Sequence, residues 1–233
     1  MKLAPSSGRL APAFNPFDEE YLVEILNAVI EAWSRMIRPN RRELEDHITF
    51  RLAGRIANDP LLRDLPYDVV PQYWLLGLNG ERLGRLDLRF KHRHSARDYF
   101  TFEAKRLHVK YPSGAFRPEY SKYTGKDGMM CFIDGKYASG MQAAGMLAYV
   151  MDGDCGRAWN GVQDQIESSR SQLQLLATSR LAISPLSQRT QNVVGGARLG
   201  ETHHSVSARH LHLLHLILPV GLKAPLRSTS NTN

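Results

Sequence analysis

Two neighbouring stretches decide the fold: Gly84-Arg-Leu-Asp-Leu-Arg-Phe90 and Tyr99-Phe-Thr-Phe-Glu-Ala-Lys-Arg106. In both, apolar side chains alternate with polar ones, which is the pattern of half-buried β-strands. Residues 91–98 lie between them and are enough to close a hairpin. The pattern therefore predicts two antiparallel neighbours within a sheet.

This hairpin brings acidic side chains together. With a turn near Ser95, pairing puts Asp87 opposite Glu103, about 5 Å apart. Two carboxylates at that distance can share one hard divalent cation, Mg²⁺ or Mn²⁺, and the Ala104 carbonyl can supply another oxygen ligand. Such a cation polarises a phosphate and lowers the pKa of a bound water, while the Lys105 ammonium orients that water or balances charge on the phosphate. The pattern indicates metal-assisted phosphodiester cleavage.

A third carboxylate comes from a helix predicted at about residues 41–58. Its apolar stripe consists of Leu44, Ile48, Leu52 and Ile56. At about 100° per residue, Glu45 lies about 40° from the centre of this stripe and Asp46 about 140° away. Two interpretations stay open for Glu45: a border acid paired with an arginine, or a metal-site carboxylate beside Asp87.

Asp87, Glu103-x-Lys105 and Glu45-Asp-His-Ile-Thr49 together resemble the PD-(D/E)xK nuclease superfamily, over about residues 40–150. The resemblance implies a restriction-endonuclease-like core, a helix followed by a central mixed sheet flanked by helices. It also implies that Asp87 and Glu103 bind Mg²⁺, that Lys105 is catalytic and that Glu45 is the helix acid. Leu86 stands where the family often has proline.

The function that this resemblance implies is cleavage of DNA by a Mg²⁺-dependent endonuclease. Small single-domain members in bacteria often serve restriction or phage defence, so a homodimer or a partner protein of a defence system is expected. The alternative is a non-catalytic nucleic-acid-binding or assembly subunit on the same fold. The intact set of Asp87, Glu103 and Lys105 argues against that alternative.

Asp134-Gly-Lys136 is a second acid-x-Lys triplet. Asp-Gly is typical of a turn, whereas Glu103 lies in an alternating strand with Asp87 upstream. The Glu103 triplet is therefore preferred as the metal site. Lys136 is interpreted as a phosphate contact or as a lysine at the start of a helix.

The charge of the chain favours a polyanionic partner. Its 233 residues include 22 Arg and 8 Lys against 23 acids, giving a formal charge of +7. The predicted nucleic-acid contacts are Arg85, Arg89, Lys91, Arg93, Arg97, Arg106, Lys122, Lys126 and Lys136. Tyrosines and basic residues also interleave over residues 111–126, either as a nucleic-acid groove or as an ordered lid that packs its tyrosines on the sheet.

Other classes of site are disfavoured. Cys131 and Cys155 cannot form a disulfide framework or a four-thiolate zinc site. The start of the chain lacks the apolar stretch of a signal peptide, and the longest apolar run, residues 211–222, is far short of the ~20 residues that span a bilayer. A cytoplasmic protein without a membrane partner is expected. His210 and His212 share a strand face, where regular spacing prevents convergence on a metal without partners elsewhere.

The order of the elements predicts an α/β (α+β) fold with a central mixed sheet flanked by helices. Residues 1–15 are expected to be a disordered leader, 16–222 a single nuclease-like domain and 223–233 a polar tail. Helices are predicted at about residues 16–38, 41–58, 137–151 and 159–180. Strands are predicted at about residues 72–78, 83–90, 99–109, 129–133 and 209–220, with loops at 61–71 and 184–200.

Overall fold

A seven-stranded mixed β-sheet lies at the centre of the structure, which is a computed structural model. The structure describes residues 19–60, 65–93, 99–138, 140–190, 194–206 and 209–220. The strands are β1 (Tyr67–Leu76), β2 (Arg82–His92), β3 (Tyr99–Leu107), β4 (Val109–Lys110), β5 (Phe116–Arg117), β6 (Ala143–Val150), β7 (Ala182–Ile183), β8 (Arg198–Val206) and β9 (Arg209–Pro219). Their order in the sheet is β1-β2-β3-β6-β9-β8-β7, and β4 with β5 forms a separate two-stranded ribbon.

Helices cover both faces of this sheet. They are α1 (Glu19–Arg35), α2 (Glu45–Asn58), α3 (Tyr120–Thr124), α4 (Met130–Ile133) and α5 (Cys155–Ser168). One apolar cluster joins α1 and α2 to sheet residues such as Phe102 and Leu216. A second cluster joins α4 and α5 to Met146 and Ile217 on the other face. The predicted α/β class with a mixed sheet flanked by helices is thus confirmed. In the described ranges, every helix falls short of the length and apolarity needed to cross a bilayer.

The centre of the sheet is parallel and its flanks are antiparallel. β3, β6 and β9 run parallel to one another, whereas β1–β2–β3 and β7–β8–β9 pair antiparallel. Asn79-Gly80, a residue pair typical of hairpin turns, lies between β1 and β2, and Gly80 has a φ of +81°. β1 already begins at Tyr67, so the predicted loop over residues 61–71 is too long. Pro71 is tolerated because β1 is an edge strand.

The largest error of the sequence prediction concerns β6, which was expected to be helical. Its residues Ala, Met and Leu are good helix formers. However, all eight of its side chains are buried, and a strand buried on both faces shows no alternation. Gly145 reveals the packing constraint, because an added Cβ there would lie 2.3 Å from the Phe102 ring.

Three other elements differ from the prediction. The expected strand at residues 129–133 is the helical turn α4. α5 begins earlier than predicted because the Asp154 side chain caps its start, accepting from the Arg157 amide at 2.9 Å. It also ends earlier than predicted, at Ser168. β8 occupies a segment that was expected to begin in a loop. α1, α2 and β9 agree with their predictions, while residues 1–18 and 221–233 lie outside the described residues.

A chain of buried hydrogen bonds joins two histidines beneath α5. His204 Nδ1 donates to the Leu173 carbonyl at 2.8 Å, which leaves its Nε2 to accept from the Thr202 hydroxyl at 2.7 Å. Thr202 then accepts from His215 Nε2 at 2.8 Å, and His215 Nδ1 accepts from the Tyr123 hydroxyl at 2.9 Å. Every partner is satisfied only when both rings are neutral. Burial accordingly lowers the pKa of His204 to about 4 and that of His215 to about 3.

We expect this chain to make the fold acid-sensitive. A base whose pKa is lowered by folding contributes stability above its unfolded pKa of about 6.5, and that contribution is lost as the pH falls towards the folded value. At pH 5 the loss from His215 is about 2 kcal/mol. Urea unfolding at pH 7.5 and pH 5 should show this loss in the wild type and a smaller one in His215→Gln. The exposed His210→Gln should keep the wild-type difference, and an equal loss in His215→Gln would contradict the assignment.

Candidate active site

The acidic residues meet where β2 and β3 separate. The last pair of the β2–β3 ladder is Leu88 with Phe102, and the same register continues to Asp87 and Glu103. On its other side, β3 pairs with β6 from Phe102 onwards. Asp87 and Glu103 are therefore side by side, as the hairpin pattern predicts, and each is only 5% exposed. The turn near Ser95 lies outside the described residues.

A kink in the edge strand β1 fixes the Asp87 carboxylate. The β1–β2 register passes from Pro71–Leu88 to Tyr73–Leu86, and the position between holds Gln72 and Asp87. Gln72 has a φ of 52°, and its Nε2 donates to Asp87 Oδ1 at 3.2 Å. The Ala104 amide donates to Asp87 Oδ2 at 2.8 Å. Gln72 is a site residue that the sequence analysis missed, because its role depends on this backbone conformation.

The Lys105 ammonium lies among oxygen atoms. Its Nζ donates to Glu103 Oε1 at 2.6 Å, to the Ala104 carbonyl at 2.7 Å and to Glu45 Oε1 at 3.4 Å. Burial acts to lower the pKa of Lys105, but the carboxylates of Glu103, Glu45 and Asp87 outweigh it and raise that pKa. Lys105 is therefore protonated, and it is the counter-charge that these acids share.

The helix acid Glu45 faces the sheet, in agreement with its predicted angle. Glu45 is the first residue of α2, and its Oε2 accepts from the Arg106 amide at 2.8 Å. Burial, opposed by Lys105, raises the pKa of Glu45. Asp46 points outwards instead and pairs with Arg85 at 3.0 Å. The structure thus brings Glu45, Asp87, Glu103, Ala104 and Lys105 into one cluster, which we call the acidic centre.

The acidic centre has the donors and the charge that a hard divalent cation requires. Three carboxylates face one ammonium. When all three are ionised, two negative charges are left without a counter-charge inside the cluster. Within the described part of the chain, Glu103 Oε2 is buried without a hydrogen-bond partner. Burial and then the neighbouring Asp87 raise the pKa of Glu103 well above its usual range, and burial raises that of Asp87. Oxygen ligands of this kind fit Mg²⁺ or Mn²⁺.

Two of the predicted basic contacts share a cavity with the acidic centre. Arg106 and Lys122 line a cavity of about 50 Å³ together with Glu45 and Lys105. The Lys122 side chain is 60% exposed although it pairs with Glu119 at 3.0 Å. Both basic residues are therefore placed at the opening of the acidic centre.

Two further basic residues meet at Tyr137. The Tyr137 hydroxyl donates to the Arg85 carbonyl at 3.0 Å, and the Lys136 ammonium lies 5.1 Å from the centre of the Tyr137 ring. Arg85 is two residues from Asp87 along β2. The structure thus brings Lys136 close to the strand that carries Asp87, although the two are distant in sequence.

Arg89 and Arg93 are already engaged by neighbouring side chains. Arg89 is buried between the rings of Tyr73 and Tyr99, 4.2 and 4.5 Å from their centres. Arg93 pairs with Asp68 at 3.3 Å on the surface. Lys91 is half-buried, Lys126 is exposed, and Arg97 lies outside the described residues. Arg89 is therefore a packing residue between two strands and not part of a solvent-facing rim.

A larger cleft of about 650 Å³ adjoins the small cavity, since Tyr111 lines both. We call it the basic cleft. Its basic side chains are Arg41, Arg42, Lys110 and Arg157. Asp152 also lines the cleft and pairs with Arg157. Phe116 lines the same cleft and is 47% exposed. The sequence analysis missed this cleft because its basic residues come from separate segments that only the fold unites.

The interleaved tyrosines of residues 111–126 are mostly packed. The Tyr111 hydroxyl donates to Glu119 at 2.7 Å, Tyr120 bonds His108 at 2.7 Å, and Tyr123 is fully buried. This is the arrangement of an ordered lid rather than of free stacking platforms.

The second acid-x-Lys triplet is a turn, as its Asp-Gly pair indicates. Asp134 ends α4 and is exposed, and Gly135 has a φ of 69°. Asp134 therefore serves as a matched control for Glu103.

Comparison with known proteins adds no relative to this picture. The chain matches no protein-family model, no curated protein and no solved structure. The resemblance to the PD-(D/E)xK superfamily therefore stays a prediction, and the chemistry of the acidic centre carries the functional proposal.

Proposed function

We propose that this chain is a divalent-metal-dependent nuclease that hydrolyses DNA phosphodiester bonds on a restriction-endonuclease-like core. The observation that carries the proposal is the convergence of two buried carboxylates, Asp87 and Glu103, with the half-buried Glu45. Glu103 has an oxygen without a partner in the described residues. Buried carboxylates are costly unless a cation balances them. The position of Asp87 and Glu103 on adjacent strands, beside Lys105 and with Glu45 reaching in from α2, suits the cleavage of a phosphodiester.

Each residue of the acidic centre has a separate task. Asp87, Glu103 and the Ala104 carbonyl would hold Mg²⁺ or Mn²⁺, with Glu45 as the third carboxylate. The bound cation supplies Lewis acidity and lowers the pKa of water. Gln72 and the Ala104 amide hold the Asp87 carboxylate in a fixed orientation. Lys105 would exchange its bonds to carboxylate oxygens for a bond to the phosphate, where it stabilises developing negative charge.

The basic cleft supports a long polyanionic substrate. Phosphates placed between Arg41, Arg42, Lys110 and Arg157 would lie next to the cavity at Lys105 and Glu45, because Tyr111 lines both spaces. Such contacts position a nucleic acid without reading its sequence.

The test is cleavage of supercoiled plasmid DNA by the full chain with Mg²⁺, with Mn²⁺ and with EDTA. We expect nicked or linear product with either cation and none with EDTA. Glu103→Gln should reduce the rate at least about 100-fold, since even outer-shell partners of metal ligands contribute 10- to 100-fold. Asp134→Asn should cut like the wild type. Steeply salt-dependent binding without cleavage in either cation would overturn the proposal and favour a non-catalytic binding subunit.

The basic cleft also predicts how the affinity for DNA depends on salt concentration. Replacing a phosphate contact weakens DNA binding for all sequences and reduces the slope of log K against log salt by about 1. We expect Arg42→Gln and Lys110→Gln each to show this effect in fluorescence anisotropy with EDTA present. Arg93→Gln, whose guanidinium pairs with Asp68 on the surface, is the control. Unchanged slopes in both cleft variants would show that the DNA does not bind in the basic cleft.

A further inference from the structure

A second cluster of potential metal ligands lies on β8 and β9. We propose that Glu201, His203 and His212 form a metal site that binds Zn²⁺ and is independent of the acidic centre. Their ligand atoms all lie within 4.8 Å of one another. The proposal goes beyond the proposed nuclease function and does not depend on it.

The antiparallel register explains why these side chains converge. His203 pairs directly with His212 across the two strands, and Glu201 lies two residues from His203 on the same face of β8. Glu201 Oε1 is 3.3 Å from His203 Nε2, and Glu201 Oε2 is 3.2 Å from His212 Nε2. The two imidazole rings stack, with centres 4.7 Å apart and planes at 15°. Both Nε2 atoms therefore face one carboxylate.

These distances suit a tetrahedral ion of the Zn²⁺ type. With Zn–N and Zn–O bonds of about 2.0–2.1 Å, neighbouring ligand atoms of a tetrahedral site lie about 3.4 Å apart. Imidazole ligands favour Zn²⁺ over Mg²⁺, which prefers oxygen. Two histidines and one glutamate also leave a fourth position open, and the His203 side chain is 46% exposed, so water or a small ligand can reach it.

The surroundings of the cluster hold its ligands in place. The Ser184 hydroxyl donates to Glu201 Oε2 at 2.5 Å, and Ser184 is fully buried. The His203 amide donates to the Ser179 hydroxyl at 2.8 Å. β8 is paired on both sides, by β7 and by β9. Partners of this kind orient metal ligands.

Glu103 and Lys105 of the acidic centre lie on the opposite face of the sheet from Glu201, His203 and His212. Leu199 of β8 and Leu214 of β9 pack with α1 and α2, and alternation puts Glu201 and His212 on that same face. On β3, Ala104 belongs to the same apolar cluster as α1 and α2. Its neighbours Glu103 and Lys105 therefore point to the other face of the sheet. Loss of one site should therefore leave the other intact.

The test titrates Zn²⁺ into the metal-stripped full chain by isothermal calorimetry. The Asp87→Asn/Glu103→Gln double variant removes the ligands of the acidic centre, and we expect it still to bind about one Zn²⁺ per chain. Adding His203→Gln should weaken that binding at least about 100-fold, because a lost ligand costs at least as much as a lost outer-shell partner. His210→Gln, an exposed change on β9, should leave it unaltered.

A second measurement keeps the proposal testable if a variant is poorly folded. Co²⁺ bound to the wild-type chain should give the visible absorption of a four-coordinate site, and Zn²⁺ should displace it. Circular dichroism checks that His203→Gln is folded. The proposal is overturned if the double variant takes up no Zn²⁺, or if folded His203→Gln binds it as tightly as its parent, in which case the cluster is only a histidine–glutamate ion-pair network.

Discussion

Asp87→Asn should abolish metal-dependent cleavage and yet make the metal-free protein more stable. Burial raises the pKa of Asp87, and the ionised Asp87 carboxylate in turn raises the pKa of Glu103 and Glu45. Asparagine removes the charge and can still accept from the Ala104 amide. Once the Gln72 amide turns over, so that its Oε1 replaces the Nε2 that donates to Asp87, asparagine can also donate to this oxygen, which is otherwise buried without a partner in the described residues. We expect a gain of about 1–2 kcal/mol in the free energy of unfolding in EDTA.

The same variant should lose more than about 100-fold in cleavage rate, because a ligand of the cation is gone. Urea unfolding with EDTA and then with Mg²⁺ separates the two effects, since a ligand that binds only the folded state stabilises it. Mg²⁺ should stabilise the wild type and have little effect on Asp87→Asn. Asp46→Asn, a change at the exposed neighbouring acid, is the control and should retain cleavage. A less stable Asp87→Asn in EDTA would show that pairing with Lys105 outweighs the repulsion.

The pH dependence has a defined sign. An acid whose pKa is raised by folding stabilises the folded state below its unfolded pKa of about 4, and this contribution is lost as the pH rises through the folded value. The wild type in EDTA should therefore lose stability between weakly acidic and neutral pH through Asp87 and Glu103. Asp87→Asn should lose less over the same interval.

Lys105→Ala should lose cleavage and also lose stability, and a divalent cation should restore only the stability. The ammonium is the counter-charge for Glu103, Glu45 and Asp87, and it is 12% exposed. Removing one partner of a buried ion pair destabilises by about 3 kcal/mol. The variant also frees Glu103 Oε1 and the Ala104 carbonyl for a metal ion, so Mn²⁺ should bind it more tightly than the wild type.

Cleavage by Lys105→Ala should stay about 100- to 1,000-fold below the wild type at saturating Mn²⁺, as expected for the loss of one charge-stabilising donor. Urea unfolding and calorimetric Mn²⁺ titration measure the other two effects. Lys136→Ala removes an exposed lysine of the turn triplet. It is the control for urea unfolding and for the Mn²⁺ titration, in which it should match the wild type. If Mn²⁺ stabilises Lys105→Ala less than it stabilises the wild type, then the lysine and the metal do not share oxygen ligands.

The sequence placed the acidic centre better than it placed the fold around it. Alternation in β2 and β3 predicted that Asp87 and Glu103 share a face. The helical angle put Glu45 near the buried stripe and left two interpretations open, and the structure shows Glu45 beside Lys105. Both inferences need only local periodicity. The role of Gln72 was not predicted, because it depends on a positive φ and on a hydrogen bond to Asp87 in the neighbouring strand. Neither feature can be recognised from a single stretch of sequence.

The errors in the fold have a common physical cause. β6 is buried on both faces, so its composition suggested a helix while its neighbours required a strand. β8 carries Glu201, Thr202, His203 and His204, polar residues that are unusual in a strand but are satisfied there by specific partners. Because β8 was not predicted, the convergence of His203 with His212 could not be anticipated either.

The order of the strands also has a consequence for the way the chain folds as it is synthesised. Glu45, Gln72, Asp87, Glu103 and Lys105 all precede β6, and the antiparallel β1–β2–β3 meander needs only local pairing. β9, by contrast, is the last strand in the described part of the chain and lies between β6 and β8. Long-range parallel pairing is slow. We therefore expect the acidic residues of the nascent chain to come together before the parallel strands pair. Until β9 pairs with it, the edge of β6 is exposed, and during this interval it is most prone to mispairing and to chaperone binding.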